Sequence, residues 1–359
     1  MRGRSRDTES STMSQRQAWD LVRFARTLTF FDTVPVLKDL DWLKQMILGD
    51  DSPTGTAPRS GLGRVLVVTA NDAELLAVAL RDRGFEPVVT SSASLRVEQF
   101  AGVRAAILAD ATPAAIALAA RELPPPTLLP VFDFRRADAS VRGWWGAVDD
   151  VVMGGVSQSG LQIAGDRARF AGEVSTANNG GFASVRTRNF EPPLDLSGCA
   201  GLELVVKGDG QRYKCILRGE NRWDGIGYAM SFDTVATGGA EDWQTVRLPF
   251  AEFVPVFRAK VVDAPPFAPE RTCALQLMLS KFEYDKALNP KFQPGRFALE
   301  IAAISAYRDF PVPQVVVLEP GADLQAVLAE QSLHWAAAAG GTPEAIAHQC
   351  AQFWRGQMA

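Results

Sequence analysis

Histidine and cysteine are nearly absent from this chain, at two and four in 359 residues. His334 and His348 both lie near the C-terminal end, while Cys199, Cys215, Cys273 and Cys350 are far apart and form no Cys-x-x-Cys or Cys/His pairing. Neither a zinc site nor a disulfide framework is signalled, and no metal or cofactor is expected; buried, reduced thiols suit a reducing compartment. No stretch approaches the ~18 continuous apolar residues of a membrane span, and no secretory apolar region opens the chain. A basic excess is missing too: 37 Lys and Arg against 41 Asp and Glu give a formal net charge of −4, which argues against an extended nucleic-acid surface but not against a local basic patch. What is present is a 47% hydrophobic, 22% charged composition, enough for a large core shared between two domains and an arm.

The most informative stretch runs from Trp144 through Trp145, Asp149, Asp150, Met153, Gly154 and Gly155 to Ser157, and is answered by Asn178, Asn179, Gly180, Gly181 and Phe182. Each half joins a Gly-Gly pair to an aromatic or β-branched run. Such a pair is required where the chain turns or where backbones approach closely, and Asn178 and Asn179 favour left-handed turn conformations. The Asp149-Asp150 pair fits turn or cap hydrogen bonds better than catalysis or a metal. Leu202–Lys207, Tyr213–Arg218 and Phe297–Ile301 are short, rich in β-formers and bounded by Gly or Pro, the pattern of an all-β sandwich. Gly208-Asp209-Gly210 between two of them is expected to be a tight hairpin connection.

These residues, with Phe170-Ala171-Gly172, Tyr213, Trp243-Gln244, Leu248-Pro249-Phe250, Phe253 and Gly295-Arg296-Phe297, resemble the complex I intermediate-associated protein 30 family from about Val131 to Tyr307. The resemblance implies a jelly-roll β-sandwich of the galactose-binding kind and a chaperone-like role in assembling membrane-bound redox complexes.

From Arg64 onward the pattern changes. Val65–Thr69 is a continuous apolar run typical of a strand buried on both faces, Ala73–Arg83 is helical, and Pro87–Val89 and Ala105–Ala109 are further strands. This opening of a Rossmann-like sheet resembles the short-chain dehydrogenase-like NAD(P)-binding proteins over about Gly63 to Pro113. It departs from them at the cofactor. After the first strand come Thr69, Ala70, Asn71, Asp72, Ala73, Glu74 and Leu75, with no glycine to approach a pyrophosphate and two acids where a phosphate would lie. A Tyr-x-x-x-Lys pair is also missing. No dinucleotide and no enzymatic activity are therefore expected.

Gln314–Leu318 is another buried-type strand, with helices expected at Ala322–Ala339 and Pro343–Gln357. It would fit back into the sheet begun near Val65. The expected fold is thus α/β plus all-β: a jelly-roll sandwich (131–309) inserted into a shortened Rossmann-like parallel sheet (63–130 and 310–359), preceded by a disordered start (1–15), an amphipathic helical arm (16–48) and a linker (49–62). Met13 is an alternative start. The arrangement resembles fused dehydrogenase-like and intermediate-associated proteins of cyanobacteria and plastids, which implies a cytoplasmic or stromal protein.

In the arm, apolar residues recur at helical spacing and Pro35 divides two helices. It either docks on a domain as core or presents Trp19, Phe24, Phe30, Phe31 and Trp42, with Arg16, Arg23 and Arg26, to a membrane surface or partner. In the sandwich, Arg186, Arg218, Arg222, Trp223 and Tyr228 offer planar donors and stacking surface. The candidate partner-binding residues are accordingly Trp19, Phe24, Phe31, Arg186, Arg218, Arg222, Trp223 and Tyr228. Two functions follow: a non-enzymatic assembly factor contacting subunits of a redox or photosynthetic complex, or an NAD(P)-dependent oxidoreductase or carbohydrate-binding module keeping an ancestral ligand. Contact with an RNA–protein complex gains no support from the charge.

Overall fold

The structure, a computed structural model, describes residues 20–31, 63–71, 73–100, 103–136, 139–236, 242–331 and 333–355. The chain order begins with α1 (Leu21–Phe30), then β1 (Gly63–Val68), α2 (Glu74–Arg81), β2 (Phe85–Thr90), β3 (Val103–Leu108) and α3 (Pro113–Glu122). Val65 to Val68 are fully buried because β1 has parallel neighbours on both sides and helices on both faces. Val65 and Val67 join the cluster built around Leu80, Ala347 and Trp354, whereas Leu66 and Val68 join that of Ile116, Ala119 and Leu328. One unbroken apolar run thus serves two cores.

The sandwich follows: β4 (Leu128–Asp133), β5 (Trp145–Ala147), β6 (Gln158–Ala164), β7 (Arg167–Val174), β8 (Phe182–Thr187), β9 (Gly201–Lys207), β10 (Arg212–Arg218), β11 (Gly227–Asp233), β12 (Gln244–Pro249), β13 (Val254–Phe257), β14 (Lys260–Val261), β15 (Ala274–Ser280) and β16 (Gly295–Tyr307). One sheet runs β14-β13-β11-β10-β15-β8-β5 and the other β12-β9-β16-β7-β6, with β4 continuing beside β16. Between them lies an aromatic core in which Phe170, Tyr213 and Phe297 make edge-on and tilted contacts and Trp144 stacks on Phe190.

The chain then returns to the parallel sheet. β17 (Val315–Leu318) pairs with β3, and after α4 (Ala322–Glu330) β18 (Trp335–Ala338) pairs with β17 before α5 (Pro343–Arg355). The spatial order is β2-β1-β3-β17-β18, all parallel. Counted within this sheet alone it is 2-1-3-4-5, one of the two common doubly wound orders, and it differs from the 3-2-1-4-5-6 order usual for dinucleotide binding. After β2 the chain passes through a short 3₁₀ turn, Val97–Phe100, directly to the other side of β1.

Two sequence expectations fail locally. The helix expected over 322–339 stops at Glu330, because Trp335–Ala338 completes the sheet edge beside β17. Gly208-Asp209-Gly210 is no hairpin: β9 and β10 belong to opposite sheets, and the link crosses between them. Its glycines serve that crossing, since a Cβ on Gly208 would strike Thr234 and Gly210 has φ +89°. Asp209 then anchors the crossing by accepting from the Tyr213 hydroxyl at 2.9 Å and the Ala298 N–H at 3.1 Å.

Candidate functional site

Asp149 and Asp150 open the short 3₁₀ turn before β6, and both are buried. Asp150 accepts from the Ser157 N–H (2.9 Å) and hydroxyl (2.6 Å), from the Gly181 N–H (2.8 Å) and from the Phe182 N–H (3.3 Å). Asp149 accepts from the Ser159 N–H and hydroxyl, the Ser184 N–H (3.0 Å) and Arg23. Burial pushes the Asp149 carboxyl up, against these donors. The two Gly-Gly pairs are now explained. Gly154 and Gly181 take positive φ, whereas a Cβ on Gly155 or Gly180 would strike the Asp150 carboxylate. Asn178 and Asn179 are left-handed, with φ of 53° and 60°. The acidic pair ties the turns to β6 and β8, with its lone pairs taken up by backbone and hydroxyl donors.

The outward face of the seven-stranded sheet carries a groove of about 230 Å³. Alternation along the strands decides what enters it. On β10, Tyr213, Cys215 and Leu217 point into the core, so Lys214, Ile216 and Arg218 line the groove; on β8 and β15, Arg186, Gln276 and Met278 do the same. Lys214 donates to the carbonyl of Phe282 and, at 2.8 Å, to that of Glu283. Glu283 in turn accepts from the Ser231 hydroxyl and lies 3.9 Å from Lys214. Burial lowers Lys214 to about 8, partly offset by Glu283, and lowers Arg186 to about 9, assisted by the like charge of Arg218. Burial also depresses Arg218. At neutral pH all three remain cations.

The loop between β10 and β11 closes one end. Arg218 donates to the Gly225 carbonyl at 3.0 Å, Arg186 reaches the Trp223 carbonyl at 3.4 Å, and the Arg186 guanidinium lies 5.3 Å from the Trp223 ring. Phe31, just past α1, packs on Trp223 with ring centroids 5.1 Å apart. The structure therefore brings together Arg186, Arg218, Trp223 and Phe31. Arg222 is exposed on the same loop. Tyr228 is not part of the groove: alternation turns it to the core side of β11, where it packs on Phe267 and donates to the Pro265 carbonyl. Lys214, Gln276 and Glu283 were not singled out from sequence, although the period-two pattern from Tyr213 to Arg218 already separates Lys214 from the core.

The docked alternative holds for the first helix of the arm. Phe30 is buried over Gly146, where a Cβ would strike its ring, and under the Arg188 guanidinium at 4.5 Å. Arg23 donates to Asp149 at 2.8 Å and to the Ser157 carbonyl at 2.9 Å. Arg23 and Phe31, offered above to a membrane or partner, are thus engaged with the sandwich, and Phe24 is half-buried with contacts of its own. Trp19, Trp42 and the second helix expected in the arm lie outside the described residues. Among the described residues no helix is long and apolar enough to cross a membrane.

In the parallel sheet, the turn after β1 is tied to the end of β3. Asp110, just after β3, accepts from the Ala70 N–H and from the Thr69 hydroxyl at 3.2 Å, and the Asn71 N–H donates to that hydroxyl. A carboxylate thus takes one backbone donor of the kind that a phosphate-binding turn would offer. Asp110 was missed from sequence, where attention fell on Glu74, which pairs with Arg81, and on Asp72, which lies outside the described residues.

An uncharacterized protein of Schizosaccharomyces pombe is 30% identical over 163 residues, covering 40% of this chain and 74% of that protein. Residues 132–301 match the family described as Complex I intermediate-associated protein 30. The chain belongs to this family. Complex I intermediate-associated protein 30, mitochondrial, of Drosophila melanogaster is 26% identical over 214 residues, 52% of this chain and 69% of its own. Among solved structures, the family 11 carbohydrate-binding module of a Clostridium thermocellum cellulosomal cellulase aligns with 50% of this chain and 94% of its own, at 13% identity and a TM-score of 0.36. The Complex I intermediate-associated protein 30 match contains the Asp149-Asp150 knot and the whole sheet face of the groove; α1 and the parallel sheet lie outside it.

Proposed function

We propose that this chain is a non-enzymatic assembly factor, a chaperone-like protein that holds a subunit of a membrane-bound redox complex while the complex is built. Complex I is the first candidate, from the name of the family and of its Drosophila member; a photosynthetic complex is the second, from the fused architecture. The observation that carries the reading is the division of labour within the sandwich. The acidic pair of the family motif is committed to backbone and hydroxyl donors, while the neighbouring sheet face offers an open groove with cations and an aromatic edge, which suits binding rather than acid–base chemistry. The α/β part is read as a degenerate dinucleotide-binding domain of the short-chain dehydrogenase kind in which Asp110 replaces the bound phosphate. The protein works at the aqueous face of the membrane that houses the complex.

The test is affinity purification of the full chain from detergent-solubilised membranes with identification of the retained proteins. Enrichment of a defined subunit or subassembly of one redox complex, reduced for Trp223→Ala, is expected. Retention of no such subunit would overturn the assembly reading.

A further inference from the structure

The two guanidiniums of the groove are under-compensated. Arg186 and Arg218 together carry about ten N–H donors at five per side chain. Their acceptors are the carbonyls of Trp223 and Gly225 and the Asn189 side-chain oxygen, all neutral. The Nε–H groups of both are buried without an acceptor. Nearby carboxylates are committed elsewhere: Asp224 pairs with Arg258, Glu220 accepts from the Ile226 N–H, and Glu283 answers Lys214 and Ser231. Burial depresses both arginines; the like charge of Arg218 depresses Arg186 further, while Asp224 and Glu220, at a distance, offset only part of the effect on Arg218. Two desolvated like charges whose hydrogen-bond acceptors are all neutral are costly until a negative group arrives. This local excess sits in a chain whose formal net charge is −4.

The space above them has a definite character. Apolar side chains including Val152, Ile216, Val256 and Met278 alternate with the cations along an opening of about 230 Å³. A neutral oligosaccharide would supply hydroxyls but leave the charge uncompensated. An extended peptide in which acidic residues alternate with aliphatic ones satisfies both features. We propose that the groove receives an acidic, extended segment of the partner protein, with one carboxylate entering between Arg186 and Arg218 beside Trp223. This rests on the reading of the sandwich as a partner-binding module and names the chemistry of what it binds.

The experiment titrates the full chain with a short peptide of alternating Glu and Leu, with its Gln/Leu counterpart, with a β-linked glucose tetrasaccharide and with vesicles containing anionic lipid. The Glu peptide should bind about tenfold or more tighter than the Gln peptide and weaken as salt rises. Arg218→Gln, at the less buried of the two positions, should lower its affinity by about tenfold while Arg96→Gln in the α/β part leaves it unchanged. Arg186→Lys, which keeps the charge but loses the planar fork, should give an intermediate loss and guards against a folding failure at the more buried site. Equal affinity for the two peptides, or full binding by Arg218→Gln with an unchanged circular dichroism spectrum, overturns the proposal. So does saturable binding of only the tetrasaccharide or only the vesicles. If Arg218→Gln still retains the same complex subunit from membranes at full yield, the charged groove is refuted while the assembly function stands.

Discussion

Arg23 of the N-terminal helix and Asp149 of the family motif form an ion pair at 2.8 Å in which the carboxylate is almost wholly buried. A residue outside the family match thereby completes the donor set of one inside it. Docking of α1 is thus part of the sandwich's own polar accounting, reinforced by Phe30 over Gly146 and Arg188.

Replacing Arg23 by Met should loosen the helix without unfolding the sandwich, because Asp149 keeps Ser159 and Ser184 as donors. A loss of about 1–3 kcal/mol is expected from removing one partner of a buried charge. Limited proteolysis should cut near α1 faster than in the parent, while the β-sandwich fragment persists. Unchanged cleavage would show that the aromatic contacts alone hold the helix.

Gly154 and Gly155 should respond differently to alanine. Gly154 has φ +88° with open space where a Cβ would go, so Gly154→Ala should cost about 1 kcal/mol through backbone strain. Gly155→Ala drives a methyl into the Asp150 carboxylate and should cost roughly 3 kcal/mol or more, since a four-donor buried acid is displaced. Denaturant midpoints of the two variants compare them directly, and equal costs would refute the steric role of Asp150.

Neither NAD nor NADP should bind. Asp110 takes the Ala70 N–H and the Thr69 hydroxyl, placing negative charge where a pyrophosphate would sit. Calorimetric titration at millimolar dinucleotide is expected to give no saturable heat, and a micromolar dissociation constant would sink the idea.

Lys214 should make stability depend on pH. Its folded value is lowered from 10.5 to about 8 by burial, with Glu283, Arg212 and the Tyr284 ring facing it. Between pH 8 and 10.5 the unfolded chain keeps this proton and the folded chain releases it, so the contribution of Lys214 to stability rises with pH across that window. Relative to Lys214→Met, the parent should gain roughly 3 kcal/mol over this range. Urea unfolding of both proteins from pH 7.5 to 10.5 checks the sign; parallel curves would count against the buried cation.

Much of this structure is written in local pattern. The apolar run at Val65–Val68 announces a strand buried on both faces, and the similar run at Val315–Leu318 announces its return to the same parallel sheet. The double glycines announce turns and close approach because only backbone geometry can demand them. What local pattern cannot show is pairing across distance. Asp110 meets Ala70 because the sheet order places β3 beside β1, and Phe31 meets Trp223 through packing of elements far apart in the chain. Gly208–Gly210 reads as a hairpin because both flanks are strands; which sheet each joins depends on the global arrangement. Trp335–Ala338 reads as helix because alanine favours one, and the sheet edge overrides that preference.

The pairing of Val315 with Ala106 has a consequence for the order of events at synthesis. The edge of β3 that β17 will cover stays open while roughly 200 further residues leave the ribosome, an interval of about ten seconds or more at ordinary elongation rates. Through that interval the emerging sandwich can close on its own aromatic core, while three parallel strands wait with an exposed edge of the kind that invites mispairing. A chain interrupted before residue 315 would carry a sandwich supplied with every strand from β4 to β16 beside an open three-stranded edge, so β17 acts as the latch on the strands made before the sandwich.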